Sequence, residues 1–354
     1  MSSLNIRKVV IDDDKARNLS FTKRILSRLA SEPSYGTGYT GSKETLHLLS
    51  HKGEFLKPCP GTREYICCGY QILNVATGCP LNCSYCILQS YFSYSDLAVF
   101  VNLEEAIDQV FRLIDGQPHR IFRIGTGEFT DSLALDPLVF WTDLLLSRFS
   151  KTKNAVLELK TKTINIGGLL SSQQRDRIIV SWSLNSPFIA SREEHKAPSI
   201  RKRLEAAREC QREGFVLSFH FDPILVHPNW RDEYRKTLEM MDKYIDPKGI
   251  IWISLGSFRF MPDLKNIIRR FHPKSSVLDG EFIVGLDGKC RYFRPIRVEL
   301  YSYIRELLEA WSDDISLYLC MESDDVWRES MGWSPRNNQG LSDYLDSRVV
   351  EVFG

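Results

Sequence analysis

GYQILNVATGCPLNCSYCILQSYF, residues 69–92, runs from an apolar, β-rich segment straight into three closely spaced cysteines. Residues 69–77 have the composition of a strand, and Gly78, Pro80 and Asn82 then bend the chain. Cys79, Cys83 and Cys86 are therefore expected on a loop at the end of a strand, where backbone can wrap a bound group. Three thiolates hold three irons of a [4Fe-4S] cube and leave the fourth iron open to another ligand, whereas an electron-transfer site supplies a fourth cysteine. A structural zinc also needs a fourth Cys or His, which His119, Cys67 or Cys68 would have to provide from a distance. Cys210, Cys290 and Cys320 are scattered as small apolar residues are, and Cys59, Cys67 and Cys68 lack conventional ligand spacing and read as loop or buried thiols.

Working outward, five more apolar β-rich runs follow: HRIFRIG at 119–125, AVLELKTK at 155–162, RIIVSWSL at 177–184, GFVLSFHF at 214–221 and GIIWISLG at 249–256. Helical patterns separate them. In NLEEAIDQVFRLIDG, Ile107, Val110, Phe111 and Ile114 share a face, Asn102 can cap and Gly116 can terminate. Residues 136–149, 200–214, 232–245 and 262–271 read as further helices. Such alternation, with strands apolar on both faces, predicts an α/β fold with a parallel sheet closed into a partial (β/α)6 barrel; a doubly wound open sheet is the other arrangement this pattern allows. The organisation expected is an N-terminal extension over 1–64, a core barrel over 65–260 and a C-terminal extension over 261–354. The first extension carries a strand around Val9–Ile11 and a helix near Phe21–Ala30 capped by Ser20. The last carries a strand in FIVGLDG, a long amphipathic helix in RPIRVELYSYIRELLEAW and a strand in ISLYLCM.

Global charge gives no partner. The 354 residues carry 46 Lys+Arg against 45 Asp+Glu, a formal charge of +1, so binding to nucleic acid would need a local patch. No run of eighteen apolar residues and no secretory signal are present, so a cytoplasmic protein away from membranes is expected, its nine cysteines reduced.

CxxxCxxC with an aromatic, Tyr85, before the last cysteine resembles the radical S-adenosylmethionine (SAM) enzymes. That resemblance implies a barrel of radical SAM type, with SAM chelated by the open iron and cleaved to a 5′-deoxyadenosyl radical, and an external electron donor such as flavodoxin or ferredoxin. Gly125, Gly127 and Glu128 in RIGTGEFTD resemble the family's glycine-glycine-glutamate motif, whose carboxylate takes the SAM ammonium; a plain βα turn is the simpler reading. Lys162 and Ser183, at the ends of the third and fourth strands, stand where that family commonly binds the SAM carboxylate and polar groups, a solvent-exposed loop lysine being the simpler reading of Lys162, and GIIWISLGS loosely resembles the strand that contacts adenine or is simply a buried strand. More narrowly, residues 60–92, SREEHKAPSIRKRLEAA with GFVLSFHFDPILVHPNW, and the terminal ELYSYIRELL…YLCMES resemble the spore photoproduct lyase family, which reverses a methylene-bridged thymine dimer in DNA.

The chain departs from that family in two places. GEFTDS holds no cysteine to quench the product radical, and Ile87 stands where a tyrosine follows the last cluster cysteine; Tyr85, Tyr91, Tyr94 and Cys290 are the candidate substitutes. DNA contact is expected from Lys265, Arg269, Arg270 and Lys274 around Phe271 and His272, and from Lys289, Arg291, Arg294 and Arg297 around Tyr292 and Phe293. His220 and Asp222 are expected at the barrel mouth, as substrate contacts or as a satisfied buried pair. His195 with Glu193 and Glu194 reads as a surface charge cluster. The other functions the sequence allows are a radical SAM enzyme with a different substrate and a non-catalytic iron–sulfur protein that binds nucleic acid.

Overall fold

The computed structural model describes residues 4–29, 32–62 and 64–354. Seven parallel strands, Gln71–Leu73, Phe122–Gly125, Ala155–Thr161, Ile178–Ser183, Val216–Ile224, Ile250–Ser257 and Leu317–Leu319, lie side by side in the order of the chain. Leu56–Pro58 adds an antiparallel edge beside the first. A doubly wound sheet would reverse its order part-way; this one does not, and it curls into a half-barrel. Ala155–Thr161, Ile178–Ser183 and Ile250–Ser257 are buried almost throughout because helices cover one face and the barrel interior fills the other. The covering helices include Leu103–Asp115, Ile200–Arg212, Trp230–Tyr244 and Arg294–Trp311.

The expected strand over 69–77 is two strands in two sheets. Gln71–Leu73 belongs to the barrel, whereas Ala76–Thr77 pairs antiparallel with Leu97–Phe100. That second sheet runs Ser34–Tyr35, Lys8–Ile11, Thr45–Leu49, Leu97–Phe100, Ala76–Thr77. The chain thus leaves the barrel just before Cys79. At Gly78, φ is +85° and a side chain would stand 2.8 Å from the Asp96 carbonyl, so only glycine makes the crossing without strain.

Three local expectations change for tertiary reasons. Residues 136–149 form two helices, Asp136–Val139 and Trp141–Phe149, broken at Phe140, which is left-handed with φ 54°. Trp141 Nε1 donates to the Ser132 carbonyl at 2.8 Å, Thr142 N and Oγ1 donate to the Asp136 carboxylate, and Arg28 covers the Phe140 ring. Asn102 stands at the start of its helix without capping it; its amide instead exchanges hydrogen bonds with the His51 backbone at 2.9 and 3.1 Å, joining two connections of the N-terminal sheet. Ser20 is the first residue of the helix Ser20–Leu26 and does not cap it, while Asp13 caps the preceding helix through Ala16 N at 2.7 Å. The helix end expected at Ala30 lies outside the described residues. No helix among the described residues is long and apolar enough to cross a membrane.

Asp96, at the start of Leu97–Phe100, organises the N-terminal sheet. Its carboxylate accepts from Thr40 N and Oγ1 at 2.8 Å, Gly41 N at 2.6 Å, Ser42 N at 3.2 Å and His47 Nε2 at 3.4 Å. Burial alone would raise its pKa, but these donors outweigh burial and hold it below the usual carboxylate value. Asp96→Ala should lower stability by about 1–3 kcal/mol in urea unfolding at neutral pH. The difference from wild type should shrink as pH falls through the depressed pKa, because protonation removes the same acceptor.

Candidate active site

A cavity of about 260 Å³ opens at the carboxyl ends of the barrel strands and is shared by the motif loop and the loops that follow the strands. Cys79, Cys83 and Cys86 all line it. Burial raises the Cys79 thiol to about 12 and pushes Cys83 well above its ordinary value, with the neighbouring motif thiols and Asp131 or Glu194 adding to the effect. Cys79 and Cys83 are therefore neutral until a cation draws off their protons. Among the described residues no group of three or more His, Cys, Asp or Glu side chains is arranged to hold a single metal ion.

The motif loop is clamped from the segment that sequence reading placed at the surface. Glu193 and Glu194 are buried, correcting that expectation, and only His195 reaches the outside, stacked on His272 at 5.5 Å. Glu193 receives hydrogen bonds from the Ser84 hydroxyl and from Ser275 Oγ at 2.7 Å, and its carbonyl accepts Ser84 N at 2.8 Å. Glu194 receives the Tyr85 hydroxyl and pairs with Arg203, whose Nη1 also donates to the Ser183 carbonyl at 3.0 Å. Burial would raise the Glu194 carboxyl, but Arg203, Lys162 and Tyr85 bring it below its usual value. Charges in Arg192 and Lys196 on either side disguised this buried pair in the sequence.

Of the residues singled out for SAM, all but Gly125 line the same cavity. Gly127, Glu128, Lys162, Ser183 and the Tyr85 ring line it, with Lys162 Nζ 5.9 Å from the centre of that ring. Gly125 lies behind the wall; a side chain there would collide with the Tyr70 hydroxyl and approach the Glu158 carbonyl to 2.8 Å. At Gly127 a side chain would stand 2.7 Å from Lys160 Cβ. Glu128 is raised by burial, which Lys160 partly offsets. Thr130 Oγ1 and the Tyr70 hydroxyl, both on the wall, are buried without a hydrogen-bond partner, so the cavity keeps polar groups in reserve for a ligand.

Several wall residues escaped the sequence reading. Asp131 ties the second strand's loop to the third strand, accepting Thr161 Oγ1 and Lys162 N at 2.7 Å and Leu133 N at 3.0 Å. Arg259 grips Asp222 with two bonds of 3.2 and 3.0 Å and reaches Cys320 Sγ at 3.2 Å. Cys59 and Cys68 also face the cavity, as do Lys160 and Tyr318 and, of the residues the sequence had put forward, Tyr91 and Lys289. Only side-chain alternation along strands hinted at Lys160, two residues before Lys162. His220 and Asp222 are both at the mouth and both satisfied: His220 bonds Glu158 at 2.7 Å and Ser254. Cys290, on the hairpin of Phe282–Val284 and Cys290–Tyr292, is outside the lining, and so are His119 and Tyr94, the latter stacked on Tyr39 at 3.8 Å.

The second basic stretch does not form an exposed stripe. Arg291 is buried against Asp287 and the Tyr65 ring, Arg297 against Glu322, and Arg294 is paired with Asp325 and Glu329, while Lys289 turns into the cavity. The first stretch is exposed on the helix Leu264–Phe271, where Phe271 is 62% exposed.

A family model described as spore photoproduct lyase matches residues 60–286. The chain belongs to the spore photoproduct lyase family. It is accordingly a lyase of the radical SAM type. The spore photoproduct lyase of Bacillus subtilis (strain 168) is 26% identical over 287 residues, 78% of this chain and 80% of that one. The Clostridium acetobutylicum enzyme is 22% identical over 333 residues, 89% of this chain and 96% of that one. A solved spore photoproduct lyase variant with a dinucleoside spore photoproduct superposes with a TM-score of 0.80 at 21% identity, covering 90% of this chain and all of that one. Another, holding both S-adenosylmethionine and the dinucleoside, matches equally with a TM-score of 0.80. These structures share the fold.

Glu158 sits beneath the cavity, where one oxygen accepts from His220, Ser181, Ser218 and Trp252. Burial would raise it, but His220, Ser181 and Lys160 hold it at about 2, while burial and Lys160 keep His220 neutral below its own usual value. Stability from the ionised carboxylate should be complete above about pH 4.5 and lost as pH falls toward about 2. Glu158→Gln should flatten that part of the wild-type stability–pH curve in circular dichroism melts, leaving the neutral range less stable.

Proposed function

We propose that Cys79, Cys83 and Cys86 hold a [4Fe-4S] cluster, that the facing strand ends hold SAM, and that the enzyme reverses a methylene-bridged thymine dimer in DNA. The observation that carries this reading is the meeting, in one cavity at the strand ends, of the three motif cysteines with Glu128, Lys162 and Ser183, in a chain of this family. The donor set fits the group. A structural zinc takes four Cys or His ligands, whereas the motif brings three thiols to one cavity wall. Cluster and SAM together supply a 5′-deoxyadenosyl radical for hydrogen abstraction.

The chain's own residues do the rest. Glu193 and Glu194 fix the loop so that the cysteines need not reorganise around a cluster. In this reading Glu128 takes the SAM ammonium, Lys162 its carboxylate, and the orphaned Thr130 and Tyr70 hydroxyls further polar groups of SAM or substrate. Glu158, His220 and Ser254, hydrogen-bonded to one another along the cavity wall, keep that wall's polar groups satisfied without water. A bound cluster would take its electron from an external donor of the flavodoxin or ferredoxin kind.

The helix Leu264–Phe271 docks on the motif loop through His272 and Gln89, at 3.2 Å, and presents Lys265, Arg269, Arg270 and Phe271 outward. Val284 and Leu286, 66% and 81% exposed, project from the hairpin that also carries Lys289. A basic helix beside an apolar tip suits a duplex that must be held by phosphates and pried open. Arg269→Ala and Arg270→Ala should each weaken duplex binding and lower the slope of log affinity against log salt by about one, measured by fluorescence anisotropy.

The test is anaerobic reconstitution with iron and sulfide, reduction, and addition of SAM with and without dinucleoside spore photoproduct. Thymine and 5′-deoxyadenosine should rise together in its presence, and Cys83→Ala should lose bound iron and both products. Deoxyadenosine without thymine would point to another substrate; neither product from an iron-loaded protein would point to a non-catalytic iron–sulfur protein.

A further inference from the structure

We propose that Cys320 is the hydrogen-atom donor that completes the repaired thymine. The inference rests on the function proposed above. Fragmentation of a methylene-bridged dimer leaves one unpaired electron on the methylene carbon of a released thymine, and one hydrogen atom turns that carbon into a methyl group. A thiol S–H bond is weaker than the methyl C–H bond it would form and gives up its hydrogen atom rapidly to carbon radicals, which makes a cysteine the natural source. The donor must face the cavity, carry its proton and be held in place.

Of the cysteines outside the motif, Cys210 is buried in the helix Ile200–Arg212, and Cys67 and Cys290 lie outside the lining, which leaves Cys59, Cys68 and Cys320. Cys320 is the one whose sulfur is positioned by a charged partner. It follows the last barrel strand, its backbone N donates to the Leu255 carbonyl at 2.8 Å, and the next residue, Met321, is left-handed with φ 56°, so the chain turns sharply at the mouth. Arg259 Nη2 donates to Sγ at 3.2 Å while its fork is locked on Asp222. Burial keeps the thiol protonated.

A second observation puts a ligand at this end. Lys289 is 7% exposed, lines the cavity, and among the described residues has no carboxylate partner; its Nζ meets only Met321 Sδ, at 3.6 Å. A buried ammonium whose one hydrogen bond goes to a thioether, that of the residue following Cys320, marks where a polar substrate group belongs.

In the step, the Cys320 S–H bond breaks and a methyl C–H bond forms, leaving a sulfur radical. One electron from the flavodoxin- or ferredoxin-class donor and one proton from water restore the thiol.

The test compares wild type with Cys320→Ala, Cys320→Ser, Cys59→Ala and Cys68→Ala in heavy water, where exchangeable S–H becomes S–D. Wild type should place solvent deuterium in the thymine methyl group. Both Cys320 variants should lose thymine about tenfold or more, with radical-trapped adducts in its place and 5′-deoxyadenosine formation unchanged; the other two should resemble wild type. Labelled thymine retained in the Cys320 variants, or its loss in Cys59→Ala or Cys68→Ala instead, overturns the assignment. Loss of deoxyadenosine along with thymine overturns it too, by placing Cys320 in cofactor binding. A wild type that makes no thymine overturns the function and not merely the donor. A readout independent of turnover is iodoacetamide labelling of the reconstituted protein without SAM. Dinucleoside spore photoproduct should slow Cys320 alkylation several-fold and leave Cys290 unaffected; equal labelling with and without it contradicts the proposal.

Discussion

Two adjacent buried carboxylates hold the catalytic end of this enzyme together. Glu193 and Glu194 reach up from the end of the helix Pro187–Glu193 to bind Ser84 and Tyr85, between the second and third motif cysteines. Arg203 neutralises Glu194 and in the same stroke grips the end of the fourth barrel strand. Removing one partner of such a buried pair strands the other's charge and costs about 3–5 kcal/mol, so the motif loop and the barrel rim form one unit. Gln89 completes the clamp, donating to the carbonyls of Cys83, Ser84 and Cys86.

The other constraint is the crossing between sheets. Because Leu73 ends a barrel strand and Ala76 begins a strand of the N-terminal sheet, Gly78 and Cys79 emerge at the seam, with Gly78 N bonded to the Phe129 carbonyl at 2.9 Å. The loop after the second strand is thereby brought against the motif, which is how Glu128, Thr130 and Asp131 come to face it. The N-terminal sheet is thus part of the site's scaffold, anchored through Asp96, His47 and Asp12.

The barrel was legible because its strands are apolar on both faces and its helices amphipathic; five of the six expected strands are present with ends displaced by a few residues, and the first, over 69–77, is divided between two sheets. What escaped was structure whose cause is distant in sequence. Thr45–Leu49 and Leu97–Phe100 are short, and His47 interrupts the first; its burial makes sense only beside Asp12 and Asp96. Glu193 and Glu194 looked solvated because Arg192 and Lys196 flank them. Arg291 and Arg297 looked like a phosphate-binding stripe because nothing local reveals Asp287 and Glu322 as their partners. In the site, the motif itself identified Cys79, Cys83 and Cys86, whereas Cys59, Cys68 and Cys320 reach the same cavity from segments up to hundreds of residues apart, which spacing cannot disclose.

The whole account turns on whether the three motif sulfurs leave one iron able to bind SAM. Electron paramagnetic resonance of the reconstituted, reduced protein measures this directly. The account predicts a reduced cubane signal whose g-values shift when SAM is added, as an added ligand at one iron requires. A cluster whose spectrum ignores saturating SAM, or a loaded protein holding only a mononuclear ion, would contradict it.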